Sequence, residues 1–264
     1  MQDDWNAEAT DPEMLFLIFN LLPSLRILEL NEVPVGENVS DPSIKLVVDR
    51  PLNGLTINTN GCLAWGSEVP PAQYMLRTMS FFRSIDTLRL NGPFYMDRTL
   101  ADDAASTGSP PLALHAPKHL EIGNVYPLQP LVSMMHSQSL LQDVESLTID
   151  VVVADDSEEM QALERLLIYV SPTLLHFVPP TCVHINLKAA GDVKMCFDQA
   201  SSSITRLEDV LLALAARGSL NRVTISFSDF SCLRKETFQQ IVSYFDDVFP
   251  RLRKKDILEV RRIG

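Results

Sequence analysis

Apolar positions along the chain fall into two alternating patterns. The first is short and has a period of two. LPSLRILEL (22–30), FRSIDTLRL (82–90), LQDVESLTI (141–149) and RGSLNRVTI (217–225) share one frame. In it an apolar residue is followed by a second three places on and a third two places later. The triplets are Leu25, Leu28, Leu30; Ile85, Leu88, Leu90; Val144, Leu147, Ile149; and Leu220, Val223, Ile225. Looser copies are LNGLTINTN (52–60) and HAPKHLEIG (115–123). CVHINLK (182–188) is a weaker one, and ILEVRRI (257–263) reads as a terminal strand. In an L-x-L strand the flanking side chains point to one face and the middle one to the other. Strands are therefore predicted at 28–30, 55–57, 88–90, 120–122, 147–149 and 223–225, as neighbours in chain order in a mainly parallel sheet.

The second pattern is helical. Met160, Leu163, Leu166, Leu167 and Val170 line one face of a 3.6-residue helix, and Ile204, Leu207, Val210, Leu211 and Leu214 repeat those offsets. Phe238, Ile241, Val242, Phe245, Val248 and Phe249 form a third face, and Met14, Leu17, Ile18 and Leu21 a fourth. Thr10-Asp11-Pro12-Glu13 reads as a capping box, and Asp155 with Glu158 as another. Helices are predicted over about 12–22, 71–83, 158–170, 203–216 and 236–249, and near 131–142, those at 71–83 and 131–142 being less regular.

Each unit is then helix, turn, short strand, and such a unit buries its apolar face only by stacking on its neighbours. With Leu28, Leu55, Leu88, Leu120, Leu147, Val183, Val223 and Leu258 as anchors, the spacings are 27, 33, 32, 27, 36, 40 and 35 residues. Leucine-rich repeats usually run about 20–29 residues, so these units are long and uneven. The expected fold class is α/β: an irregular leucine-rich-repeat-like solenoid, with a parallel sheet on one face and helices on the other. The whole chain, 1–264, is expected to form a single such domain. A doubly wound sheet is the rival, but its strands are buried on both faces. Here Glu29, Thr56, Arg89, Glu121, Thr148 and Thr224 stand between the apolar residues, which points to one wet face. Residues 36–42, 66–71 and 192–203 read as loops, and 99–111, rich in Ala, Ser, Asp and Pro, as a mobile one.

Composition narrows the function classes. The 264 residues are 46% hydrophobic, enough for a continuous core, and carry a net charge of −12. So acidic a chain is a poor candidate for gripping nucleic acid or an anionic membrane. The C-terminal segment 250–264 departs from this. Arg251, Arg253, Lys254, Lys255, Arg261 and Arg262 stand against Asp256 and Glu259, a net of +4 that leaves −16 on residues 1–249. These cations read as the finish of a C-terminal helix, where they complement the dipole, with a nuclear-import or docking patch as the alternative. The apolar run 14–22 is too short to span a bilayer and follows acidic residues, so neither a membrane span nor a signal peptide is expected. Cys62, Cys182, Cys196 and Cys232 form no CxxC, which fits free thiols in a reducing compartment. A cytoplasmic or nuclear location is expected.

LFLIFNLLPSLRILELNEVPV (15–35), FFRSIDTLRLNG (81–92), ALERLLIYVSPTLLHF (162–177) and FPRLRKKDILEVRR (249–262) resemble the degenerate leucine-rich regions of F-box-like proteins of mushroom-forming fungi. That resemblance implies a substrate-recognition role in a ubiquitin-ligase adaptor, in which an F-box docks the Skp-type adaptor of a cullin ligase. Asp11 to Leu15 is similar to the start of an F-box, yet it leads straight into the strand at 25–30. The F-box is expected to be absent, and a cullin adaptor to be a partner only if one is supplied elsewhere.

Candidate chemistry is sparse. GxGxxG, Walker, GxSxG and HExxH motifs are missing. His115 and His119 are separated by Pro117 and lack further ligands of suitable spacing, and His176 and His184 read as loop and strand positions. The acids at 155–159 read as helix caps. No catalytic, cofactor-binding or metal-binding residues are assigned, and no cofactor is expected. The chain reads as a protein-interaction module rather than an enzyme. Its candidate partner-binding residues are the outward-facing middle residues Glu29, Thr56, Arg89, Glu121, Thr148 and Thr224. A repeat fragment without an independent role and an enzyme on an α/β scaffold are the competing readings. The expected partner is a protein of unknown identity, not nucleic acid or membrane.

Overall fold

A computed structural model of the chain describes residues 11–33, 48–59, 72–94, 114–153, 157–170, 182–189, 201–217, 220–228 and 235–263. The expected loops at 36–42, 66–71 and 99–111 fall outside these residues, as do Thr10, Asp155, His176, Cys62, Cys196 and Cys232. The architecture is α/β with parallel strand pairing throughout, as the alternation of helical and period-two patterns predicts. Two compact units divide the chain: residues 1–117 with 125–140, and residues 118–124 with 141–264.

In the first unit three strands pair in chain order: β1 (Ile27–Asn31), β2 (Val48–Asn58) and β3 (Phe82–Asn91). Register aligns the repeat anchors Leu28, Leu55 and Leu88, then Leu30, Ile57 and Leu90. These residues point to the helix side, and all but the half-buried Leu28 are buried. The β2 and β3 strands run well beyond the L-x-L core predicted for them. Their extra length pairs Val48 with Phe82 and Leu52 with Ile85, beyond the reach of β1, which starts opposite Gly54. Pro51 is tolerated because it lies on that stretch, next to a register irregularity.

The helices of this unit are α1 (Pro12–Leu21), α2 (Ala72–Ser80) and α3 (Leu128–Ser137). Helix α2 is shorter than the predicted 71–83, because the chain turns at Phe81 and becomes extended at Phe82. Helix α1 opens on Asp11, whose carboxylate accepts from the Glu13 N–H at 2.8 Å. The predicted buried face of α1 is wrong. Met14, Leu17, Ile18 and Leu21 are exposed, while Leu15 and Phe19 are buried. Phe19 packs on Phe81 and Phe82, with ring centroids 5.8 and 5.2 Å apart. The helix is apolar almost all round, so periodicity alone does not choose its inner face, and contact with two aromatic rings does.

The second unit pairs five strands in chain order: β4 (His119–Gly123), β5 (Ser146–Val153), β6 (Cys182–Ala189), β7 (Arg222–Ser228) and β8 (Leu258–Ile263). Leu120, Leu147, Val183, Val223 and Leu258 lie in one register row and Ile122, Ile149, Ile185, Ile225 and Val260 in the next. The helices are α4 (Ser157–Val170), α5 (Ser201–Ala216), α6 (Lys235–Val248) and a short α7 (Pro250–Lys254). The predicted face of α4 is buried throughout, and that of α5 is buried except for half-buried Val210. Helix α5 starts at Ser201, so the serine run belongs to its first turn. The basic C-terminal segment is a one-turn helix, a turn at Asp256 and a strand.

Strand exits repeat a local device. Glu32, Gly92 and Asn124 follow β1, β3 and β4 directly and have φ of 56°, 96° and 54°. Only glycine takes this left-handed region without cost.

Candidate functional site

The sheet faces opposite the helices carry the polar side chains of both units. In the first unit Glu29, Thr56 and Arg89 lie in one register row, as predicted from L-x-L. Glu29 and Arg89 are exposed and Thr56 is half-buried. Two residues further along, Asn31, Asn58 and Asn91 form a second outward row, and the Asn31 amide donates to Glu29 Oε1 at 3.2 Å.

In the second unit Glu121 aligns with Thr148, and Thr148 with His184, Thr224 and Glu259. Thr224 departs from the expectation of an exposed contact residue, being only 3% exposed. Its short side chain stands between the taller His184 and Glu259, and its hydroxyl lies 3.5 Å from Glu259 Oε2. A second outward row holds Asp150, Asn186, Ser226 and Arg261. The Asn186 amide donates to Asp150 Oδ1 at 2.7 Å, and the Arg261 guanidinium to Glu259 Oε1 at 2.7 Å. His184 Nε2 and Ser226 Oγ are 2.6 Å apart, linking the two rows.

Electrostatics follow from this packing. Burial, and next the Arg261 charge, hold the His184 imidazole below its ordinary value of 6.5, while Asp150 and Glu259 oppose them. The hydrogen bond from Arg261 lowers the Glu259 carboxyl, and Arg261 is raised in return. Neutral at pH 7, His184 can accept a hydrogen bond on one ring nitrogen and donate on the other. Ser226 is 1% exposed, so it is closed to an incoming substrate and serves to fix the imidazole. Cys182 is half-buried on the same face, with an Arg222 guanidinium nitrogen 3.9 Å from its sulfur.

The second row is missed because each strand is ended at the last L, and His184 because CVHINLK (182–188) reads only as a weaker copy of the repeat. The alternation continues in LTIDV (147–151), VHINL (183–187) and VTISF (223–227), and that was the available signal. His115 and His119 are exposed, and no group of three or more His, Cys, Asp or Glu among the described residues is placed to hold a metal ion. No helix of the described residues is long and apolar enough to cross a membrane. Against known proteins, the chain matches no protein family, no curated protein and no solved structure.

Proposed function

We propose that the chain is a protein-interaction module of leucine-rich-repeat-like type, docking another protein on its outward sheet faces. The observation that carries this reading is the set of outward polar rows in register on parallel strands. Hydrogen bonds hold many of these side chains in place, which lowers the entropy cost of binding. Asp150, Glu259, Arg261 and Arg89 offer both signs of charge for selecting a partner. The repeated helix–strand unit, with anchors Leu28 to Leu258 pairing as parallel neighbours within each unit, supports a solenoid of long, irregular repeats.

Within this reading, the resemblance to fungal F-box-like proteins suggests substrate recognition for a ubiquitin ligase in the cytoplasm or nucleus. A cullin adaptor then joins only through an F-box contributed elsewhere. The test is affinity purification of the tagged chain beside an outward-face variant, Arg89→Ala with Asp150→Ala and Arg261→Ala. A partner recovered by the parent and lost by the variant, with the variant's fold intact, supports the reading. Equal recovery by both contradicts it.

A further inference from the structure

We propose that this chain associates head to tail with a second copy of itself, the α1–β1 end of one molecule receiving the α7–β8 end of the next. The first ground is apolar surface. Among the described residues eight large apolar side chains are exposed, and six lie between positions 14 and 27. Leu21 is 79% exposed, Ile27 70% and Leu17 62%; Met14, Ile18 and Leu22 complete the group. Apolar surface concentrated in this way marks a contact site.

The second ground is strand geometry. Strand β1 has β2 as its one strand neighbour and β8 has β7, among the described residues. Among the described residues, then, the far side of each has no strand partner, the side on which a strand presents its remaining backbone groups. Every strand pair within the units is parallel. Setting β8 of one copy beside β1 of another continues that pairing, and it puts α1 on the same face as α6 and α7. There the half-buried Tyr244, Val248, Ile257 and Val260 supply apolar counterparts.

Charge decides between the possible pairings. Residues 11–33 hold Asp11, Glu13, Glu29 and Glu32 against Arg26, a net of −3. Residues 250–263 hold six cations against Asp256 and Glu259. Arg251 is paired with Glu208 and Asp209, Arg253 with Asp246 and Arg261 with Glu259, so the positive surface at this end rests chiefly on Lys254 and Lys255. Two β1 ends brought together repel, as do two β8 ends; β1 against β8 attracts. Lys254 and Lys255 are exposed and stand at the junction of α7 and β8. A contact of this kind is heterologous, so it leaves a free end on each side and growth does not stop at a dimer.

Sedimentation velocity on the full chain tests this across a concentration series at low and high salt. The wild type is expected to show species heavier than a monomer that grow with concentration and retreat with salt. Leu21→Lys with Ile27→Lys blocks the first end, and Lys254→Glu with Lys255→Glu blocks the last. All four positions are exposed, and circular dichroism verifies the fold; Leu21→Lys alone replaces the first pair if that variant is misfolded. Each variant alone is expected to associate at least about tenfold more weakly. An equimolar mixture of the two is expected to form a dimer and stop there, because one intact end remains on each. A wild type that stays monomeric throughout overturns the proposal. So does a mixture that stays monomeric, or a last-end variant that self-associates like the wild type, which indicates β1-to-β1 contact instead.

Discussion

Helices α1 and α7 do the same job by different means. Each is short and directly precedes, in the chain, a strand at the end of its unit's pairing order. Helix α1 is held chiefly by apolar contact: Leu15 and Phe19 are buried, and the Arg50 guanidinium donates to the Phe19 carbonyl near the helix C-terminus. Helix α7 is held by a buried carboxylate. Glu208 of α5, 2% exposed, accepts from the backbone N–H groups of Arg251 and Leu252 at 2.8 and 3.1 Å and from Arg251 Nε at 2.7 Å. The carboxylate thus caps the first turn of a helix that has no capping side chain of its own. Asp209 adds a second, exposed contact to the Arg251 guanidinium at 2.7 Å. Outside these anchors α1 exposes apolar side chains, Met14, Leu17, Ile18 and Leu21, and α7 exposes cations, Arg251, Arg253 and Lys254. The two ends of the chain differ accordingly.

This contrast makes graded predictions. The largest effect is expected for Glu208→Ala, which orphans two backbone donors at once and leaves the Arg251 guanidinium to Asp209 alone. A loss of about 3–5 kcal/mol in chemical denaturation is expected, with Glu208→Gln losing less because it keeps one acceptor. Asp209→Ala, at the exposed partner, is expected to cost under about 1 kcal/mol. If the two substitutions cost the same, the cap is not what holds α7.

Next comes Phe19→Ala, expected to cost about 3 kcal/mol through the cavity left against Phe81 and Phe82. Hydrogen exchange should then rise in α1 and leave α7 unchanged. Exchange rising equally at both ends would erase the distinction between them.

A pH effect is expected beside the last end. The folded pKa of His184 lies below the unfolded one, so both states are neutral above about 6.5. As pH falls below that value the unfolded state takes up a proton first, and stability declines until the folded imidazole is protonated as well. His184→Gln should flatten the slope of stability below about pH 6.5. An unchanged slope would place the titration elsewhere.

The smallest effect concerns two residues in the left-handed region, Glu32 after β1 and Asp256 before β8, with φ of 56° and 57°. Glu32→Gly is expected to stabilise by up to about 1 kcal/mol, and Asp256→Gly by less, since aspartate tolerates this conformation better. Equal gains would mean that aspartate has no such advantage at this turn.

The L-x-L positions were legible in the sequence because period two and one-sided burial leave a strong signal. Each of the six predicted L-x-L strands lies inside an observed one. Strand length was not legible where a partner fixes it: Val48 and Phe82 are extended because they pair with each other, while Pro51 and Gly54 argue locally against a strand. The inner face of α1 was misread because Met14 to Leu22 is apolar on all sides but for Asn20. Of the outward face, the row of Glu29, Thr56 and Arg89 and the row of Glu121, Thr148 and Thr224 were read correctly as to side. The burial of Thr224 was not, since it depends on the height of His184 and Glu259 on either flank, which only register reveals.

The claim that the outward sheet faces, not the helices, receive a partner is tested most directly by position-specific photo-crosslinking in cells. A photoreactive residue is placed at Arg89 or Thr148 on the outward faces, and at Arg165 or Ile168, exposed on α4. Crosslinks to a common partner are expected from positions 89 and 148, and none from 165 and 168. Crosslinks to that partner from α4, with the outward positions silent, would contradict that claim.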